Sequence, residues 1–301
     1  MRSLKEYKII AEKRLQEIIP EIAHGVFEKD QIPYLLSESM RYSVLAGGKR
    51  LRPAMLMAAC EMLGGNIDDA LDFACALEMI HTYSLIHDDL PGMDDDDLRR
   101  GRPTNHVVFG VGQAILAGDG LLNMAFEVMI EKALSLTNAH DRALLAMGEI
   151  AKGAGVTGMI AGQCADLYSE GRSDTGEDML TYIHRGKTMA MFVGAMRAGA
   201  RLAGADDIAL KAVTDYAVAF GLLFQASDDV LDVTADQTLF GKSKGKDARD
   251  GKLTAVSMYT LEGAKKKVED YLNQAKASLE CFGDSAAFFI TLADQVAHRD
   301  H

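Results

Sequence analysis

Residues His81–His106 read HTYSLIHDDLPGMDDDDLRRGRPTNH, an apolar approach running into Asp88, Asp89, Asp94, Asp95, Asp96 and Asp97 and then Arg99, Arg100 and Arg102. Carboxylates crowded this closely repel one another, and a fold keeps them together where divalent metal and neighbouring guanidiniums offset the charge. A charge run is more often a solvated loop. The helix-like sequence leading straight into this one argues for a site that takes metal and a strongly anionic ligand. Asp88 and Asp94 are six apart, so an ideal helix would turn them roughly 120° from each other. Pro91-Gly92 lies between them, and proline removes a helical hydrogen bond. A reshaped helix end that brings Asp88, Asp89 and Asp94 together follows. Asp95, Asp96 and Asp97 read as solvated loop.

Working outward, a second acidic cluster lies in FGLLFQASDDVLDV, where Asp228 and Asp232 share a helix face and Asp229 flanks them. Magnesium suits both clusters, being hard, oxygen-seeking and commonly bound by one or two carboxylates together with substrate phosphates. Cations stand where a diphosphate would need them: Lys49 and Arg52 beside Gly47-Gly48, Arg99 and Arg100 after the first cluster, and Lys187, Lys242, Lys246 and Lys252 later. In a net-acidic chain they read as a set of phosphate contacts.

The bulk properties narrow the class. The 301 residues carry a net charge of −12 and 48% hydrophobic residues, enough for a large core and the wrong sign for nucleic acid or an anionic membrane. Cys60, Cys75, Cys164 and Cys281 form no CxxC pair and read as reduced core residues of a cytoplasmic protein. The first twenty residues mix both charge signs and lack an apolar signal core, and the later apolar runs are short or broken by Asp119, so a soluble protein is expected.

All five prolines fall within the first 103 residues, and strand-like alternation is scarce. The expected fold is all-α, a multi-helix bundle, with helices at about 4–18, 34–45, 51–63, 67–89, 113–135, 139–168, 177–203, 207–232, 253–281 and 285–298. No linker or repeat divides residues 1–301, so one domain is expected. Gly153–Gly158 matches GxGxxG, but helical sequence on both sides makes it a stripe of small residues for helix packing rather than a dinucleotide loop. Gly241-Lys242-Ser243 lacks the strand and glycine spacing of a P-loop. Neither a zinc spacing nor a nucleophile elbow is present.

From about Tyr34 onward the chain resembles the trans-prenyltransferases, or polyprenyl diphosphate synthases, and most of all the bacterial-type farnesyl diphosphate synthases. The resemblance rests on SESMRYSVLAGGKRLRP, EMIHTYSLIHDDLPGMDDDDLRRGRPTNH, GMIAGQCADL, HRGKT, FQASDDVLDV and GKSKGKD, in that order. It implies an isoprenoid-synthase bundle around a deep central cavity, usually in a homodimer, acting on isoprenoid diphosphates. It further implies about three magnesium ions per site, replaceable by manganese. Asp88, Asp89, Asp94 and Asp228 would hold the metal, with Asp229 and Asp232 close by. Arg99, Lys187 and Lys242 would contact the allylic diphosphate; Lys49, Arg52, His81 and Arg100 would bind isopentenyl diphosphate. Lys252 joins the substrate-binding set, and Thr188 and Gln225 would lie beside the reacting carbons.

Tyr83 and Ser84, five and four residues before Asp88, bear on product length. In the family an aromatic residue at the Tyr83 position, with the insertion represented by Pro91-Gly92, marks farnesyl-length enzymes, so farnesyl diphosphate is the expected product. Geranylgeranyl diphosphate is the alternative. A class I terpene cyclase would need an Asn/Asp, Ser/Thr, Glu triad in place of the second cluster, and a non-catalytic helical subunit would tolerate loss of one cluster. The chain departs from the family at Met189, where glycine or alanine is common, and after Thr254, where Tyr-Pro is often found. His298-Arg299 corresponds to a basic tail that covers the site.

Overall fold

The computed structural model describes residues 1–172, 174, 176–234 and 254–299. Helices dominate it. The first four are α1 (Leu4–Ile18), α2 (Tyr34–Val44), α3 (Leu51–Met62) and α4 (Ile67–Asp88). Two-residue strands β1 (Leu98–Arg99) and β2 (Arg102–Pro103) follow, then α5 (Asn105–Phe109), α6 (Val111–Ser135), α7 (His140–Ala154), α8 (Met159–Ser169) and α9 (Glu177–Ile183). A π-helical turn, His184–Met189, leads into α10 (Ala190–Ala203) and α11 (Asp207–Thr234), and the chain closes with α12 (Ala255–Ser278), a 3-10 turn (Glu280–Ala286) and α13 (Ala287–Ala297).

Local chemistry sets many of the ends. Ser3 and Glu6 form a reciprocal capping box at α1, and the Asn66 side chain accepts from Asp68 N at the start of α4. Helix α3 is buried nearly all round, from Leu51 through Cys60, because α1, α4 and α10 surround it. That demands a close approach: a Cβ on Gly199 of α10 would lie 3.0 Å from Ala59 Cβ and 3.1 Å from Cys60 N. Tyr216, Phe220 and Phe192 stack and edge against one another at one end of the core, where Tyr216 Oη donates to Phe289 O at 2.8 Å. Each such aromatic contributes about 1.5–3 kcal/mol by burial.

The helices fall near where the sequence places them, except that α5 was not expected and three of the longer runs differ. The run expected over 139–168 is broken at 155–158, because the chain turns there to pack α8 against the π-helical turn. The run expected over 177–203 contains that π turn, and α12 bends at Thr260 (φ 63°). The hairpin Leu98–Pro103 was not expected; its two turn residues, Arg100 (φ 55°) and Gly101 (φ 74°), have the positive φ of a tight hairpin turn. All four cysteines are free, but only Cys60 and Cys75 are in the core, while Cys164 and Cys281 are exposed.

Candidate active site

The first aspartate cluster forms at the end of α4. Asp88 is its last residue, and the Pro91-Gly92 turn doubles the chain back, so that Asp94 N donates to Asp88 O at 2.9 Å and Met93 N to Leu90 O at 2.9 Å. The backbone of Asp94 is thereby returned to that of Asp88. Asp89 is only 3% exposed, and Arg99 from the hairpin clamps it, with Nε 2.9 Å from both carboxylate oxygens and Nη2 2.6 Å from Oδ1. Gln163 of α8 donates to Asp88. The acidic loop is fastened to the hairpin side by Thr104, whose N and Oγ1 donate to Asp97 O and Asp96 O.

The second cluster lies on α11. Asp228 pairs with Arg299 at 2.7 Å, and the Arg299 guanidinium also reaches Ser227 Oγ and Phe224 O. The tail arginine does sit over the second motif. Lys49 belongs to the same neighbourhood: burial and Arg299 lower the pKa of its amine, and Asp228 opposes them. Asp229 is turned inward instead, where Oδ2 accepts from Ala255 N at 2.7 Å and Oδ1 from Gln225 Nε2 at 2.9 Å.

The π-helical turn supplies the next wall. Lys187 Nζ donates to Asp166 Oδ2 at 2.6 Å, and buried Thr188 donates through Oγ1 to Gln225 Oε1 at 2.9 Å. Such turns crowd backbones, and here two glycines accommodate the crowding: a Cβ on Gly186 would lie 2.6 Å from Gly162 Cα. His184, partly buried with Nε2 3.6 Å from Asp229 Oδ2, has its pKa lowered to about 4 by desolvation, so it is a neutral neighbour of this network.

The remaining cations come from the start of α3 and from the hairpin turn. Arg52 is lowered to about 10 by burial; it stacks over the Phe192 ring at 4.6 Å and meets His81 Nε2 at 3.4 Å. His81 is lowered well below its ordinary value by burial and by Arg52, Arg100, Arg99 and Arg50, leaving a neutral imidazole. Arg52 Nε is buried with no hydrogen-bond partner among the described residues. Arg100 Nη1 donates to Gly47 O. Arg50, between Lys49 and Arg52 in sequence, is instead a buried structural partner of Glu78 at 2.6 Å.

The end of α4, α8 and the π-helical turn, with Arg52 of α3, enclose a cavity of about 520 Å³ lined by Arg52, His81, Tyr83, Ser84, Asp88, Lys187 and Thr188, among others. A larger cleft, about 870 Å³, opens between Glu21, His24, Tyr34 and Arg102 and contains no residue of either aspartate cluster, whereas the smaller cavity reaches Asp88. Among the described residues, no three carboxylate, imidazole or thiol side chains converge as a metal cage. Asp89 and Asp229 are directed elsewhere, and the donors on Asp88, Asp94 and Asp228 suit magnesium that takes one or two carboxylates and completes its shell with phosphate and water. Lys242, Lys246 and Lys252 lie outside the described residues. Sequence reasoning gave no role to Gln163 and Asp166, which hold Asp88 and Lys187. Their signal was two polar residues three apart on a small-residue helix, with Asp166 buried.

Helical bundle, paired aspartate clusters and a cation-lined cavity together define a prenyl diphosphate synthase site. The chain belongs to the polyprenyl synthetase family, whose model matches residues 33–284. It is 42% identical over 296 residues to a chloroplastic geranylgeranyl pyrophosphate synthase of Capsicum annuum, covering 98% of this chain and 79% of that one. Among solved structures, a geranylgeranyl pyrophosphate synthetase of Pyrococcus horikoshii superposes with TM-score 0.87 at 29% identity, covering 98% and 97% of the two chains. An FPP/GFPP synthase of Zymomonas mobilis superposes with TM-score 0.85 at 32% identity, again covering 98% and 97%. The chain is a trans-prenyltransferase of the all-α isoprenoid synthase fold.

Proposed function

We propose that this enzyme extends an allylic diphosphate with isopentenyl diphosphate in a magnesium-dependent reaction and that its main product is geranylgeranyl diphosphate. The reading of the reaction is carried by the cavity in which Asp88, Lys187 and Thr188 meet His81 and Arg52. The allylic C1–O bond breaks with its electron pair leaving on the diphosphate. The double bond of isopentenyl diphosphate attacks C1, and loss of a proton to the released diphosphate gives the longer allylic product. Asp88, Asp94 and Asp228 would hold magnesium, which when bound would supply charge neutralisation for the leaving diphosphate. Arg99 and Lys187 bind the same group, and Asp89 and Asp166 hold those two cations in place. Lys49, Arg52, His81 and Arg100 take isopentenyl diphosphate; the neutral imidazole can accept from Arg52 without adding a repelling charge.

The twenty-carbon length is supported by the names of the Capsicum and Pyrococcus relatives. Farnesyl diphosphate is the second reading, and Tyr83 favours it: its ring is 7% exposed on the cavity wall, edge-on to His87 at 5.7 Å. Purified enzyme with dimethylallyl diphosphate, labelled isopentenyl diphosphate and magnesium tests both. A dominant C20 product supports the proposal, a dominant C15 product replaces it with the farnesyl reading, and no consumption of isopentenyl diphosphate refutes prenyl transfer.

We also propose that two copies pair through the apolar side of α6 and α7, where Leu116, Ile130, Leu134 and Leu144 are exposed. Only a third of the most apolar window of α6 is buried within the chain, which supports a covering partner. Sedimentation at micromolar concentration giving a monomer would refute this.

A further inference from the structure

We propose that Asp229 is a positioning residue that sets the direction of the Thr188 hydroxyl, rather than a metal ligand. The inference rests on the prenyl-transfer reading above. A backbone N–H can only donate, so the 2.7 Å bond from Ala255 N makes Asp229 Oδ2 an acceptor. Oδ1 accepts as well, from the Gln225 NH2 at 2.9 Å, so the amide nitrogen of Gln225 faces the carboxylate. That leaves Gln225 Oε1 facing Thr188, whose hydroxyl donates to it at 2.9 Å.

The consequence is a hydrogen-bond chain with one polarity. The Thr188 proton is committed to Gln225, and the oxygen's lone pairs are left for the cavity that Thr188 lines. An allylic cation is stabilised by lone pairs and repelled by a hydroxyl proton. The acceptor at the far end of the chain therefore decides what the reacting carbons meet. Asp229 is 3% exposed with both oxygens occupied by these donors, whereas the adjacent Asp228 carboxylate is 45% exposed beside Arg299. Neighbouring residues in one motif thus have different tasks.

Asp229→Asn conserves size and the acceptor for Ala255 N but presents an NH2 to Gln225. The Gln225 amide then flips, and Thr188 turns its proton toward the cavity. We expect kcat to fall by about tenfold to a hundredfold, with the KM values and the magnesium half-saturation concentration unchanged. Asp228→Asn should raise that magnesium concentration. The exchanged pair Asp229→Asn/Gln225→Glu restores an acceptor opposite Thr188 and should recover most of kcat, which a merely structural role or a metal-ligand role would not give. An Asp229→Asn enzyme with full kcat overturns the inference. So does one needing more magnesium, or an exchanged pair that folds by circular dichroism but is no faster than the single variant. If Asp229→Asn does not fold, the exchanged pair alone decides by its turnover. Wild-type enzyme that does not consume isopentenyl diphosphate refutes the proposed function; active wild type with unresponsive variants refutes only this inference.

Discussion

Gly162→Ala tests how the π-helical turn is held. A Cβ at Gly162 would stand 2.5 Å from Gly186 C and 2.7 Å from Lys187 Cα, and closer still to Lys187 N, all backbone atoms that no rotamer change can clear. Ordinary contact begins near 3.4 Å, so the turn must retreat by about 1.5 Å to clear its nearest atom, Lys187 N. Overpacking of this kind costs about 1–3 kcal/mol. The functional cost is separate: Lys187 and Thr188 ride on the displaced backbone, and a misplacement of about 1 Å at a catalytic group lowers turnover by about a hundredfold. Urea unfolding and steady-state kinetics on the same preparation measure both. A variant with wild-type stability and kcat/KM would refute the claim that contact between α8 and the turn positions these residues.

Tyr83→Ala should shift the product distribution toward longer chains, read by chromatography of the dephosphorylated products; an unchanged distribution removes Tyr83 from any part in chain length. Arg50→Met leaves Glu78 charged and buried, which should cost about 3–5 kcal/mol in denaturant unfolding, and Arg50→Met/Glu78→Leu should recover most of it. Chelation by EDTA should abolish turnover and added magnesium restore it, while calorimetry shows the bundle still folded; full activity in EDTA would contradict the metal assignment.

Much of the fold was legible because its signals are local. Gly47-Gly48 and Gly64-Gly65 end helices, and Asn66 starts one, as residue chemistry alone predicts. The doubling back of the chain from Asp88 to Asp94 was legible because Pro91-Gly92 sits between them. The breaks at 155–158 and 184–189 were not, since they arise from Gly162 meeting Gly186 across two helices, a contact no window of sequence contains. The same limit hid the partners of Asp89 and Asp229: Arg99 and Ala255 N arrive from other elements, so motif spacing equated carboxylates that the fold separates. Arg50 was obscured for the opposite reason, because its neighbours Lys49 and Arg52 suggested one cationic cluster.

The tight hairpin has a further consequence. Arg99 and Arg100 are adjacent in the chain, yet one guanidinium is anchored on Asp89 and the other on Gly47 O. Their α-carbons are held about 3.8 Å apart by covalent geometry, and the positive-φ turn sends the side chains to different anchors. Under the proposed function, the spacing between the two diphosphates would thus be gauged by a rigid peptide unit rather than by two independently flexible elements. The hairpin acts as a calliper, and lengthening its turn by one residue would reset the distance between donor and acceptor while leaving every ligand in place.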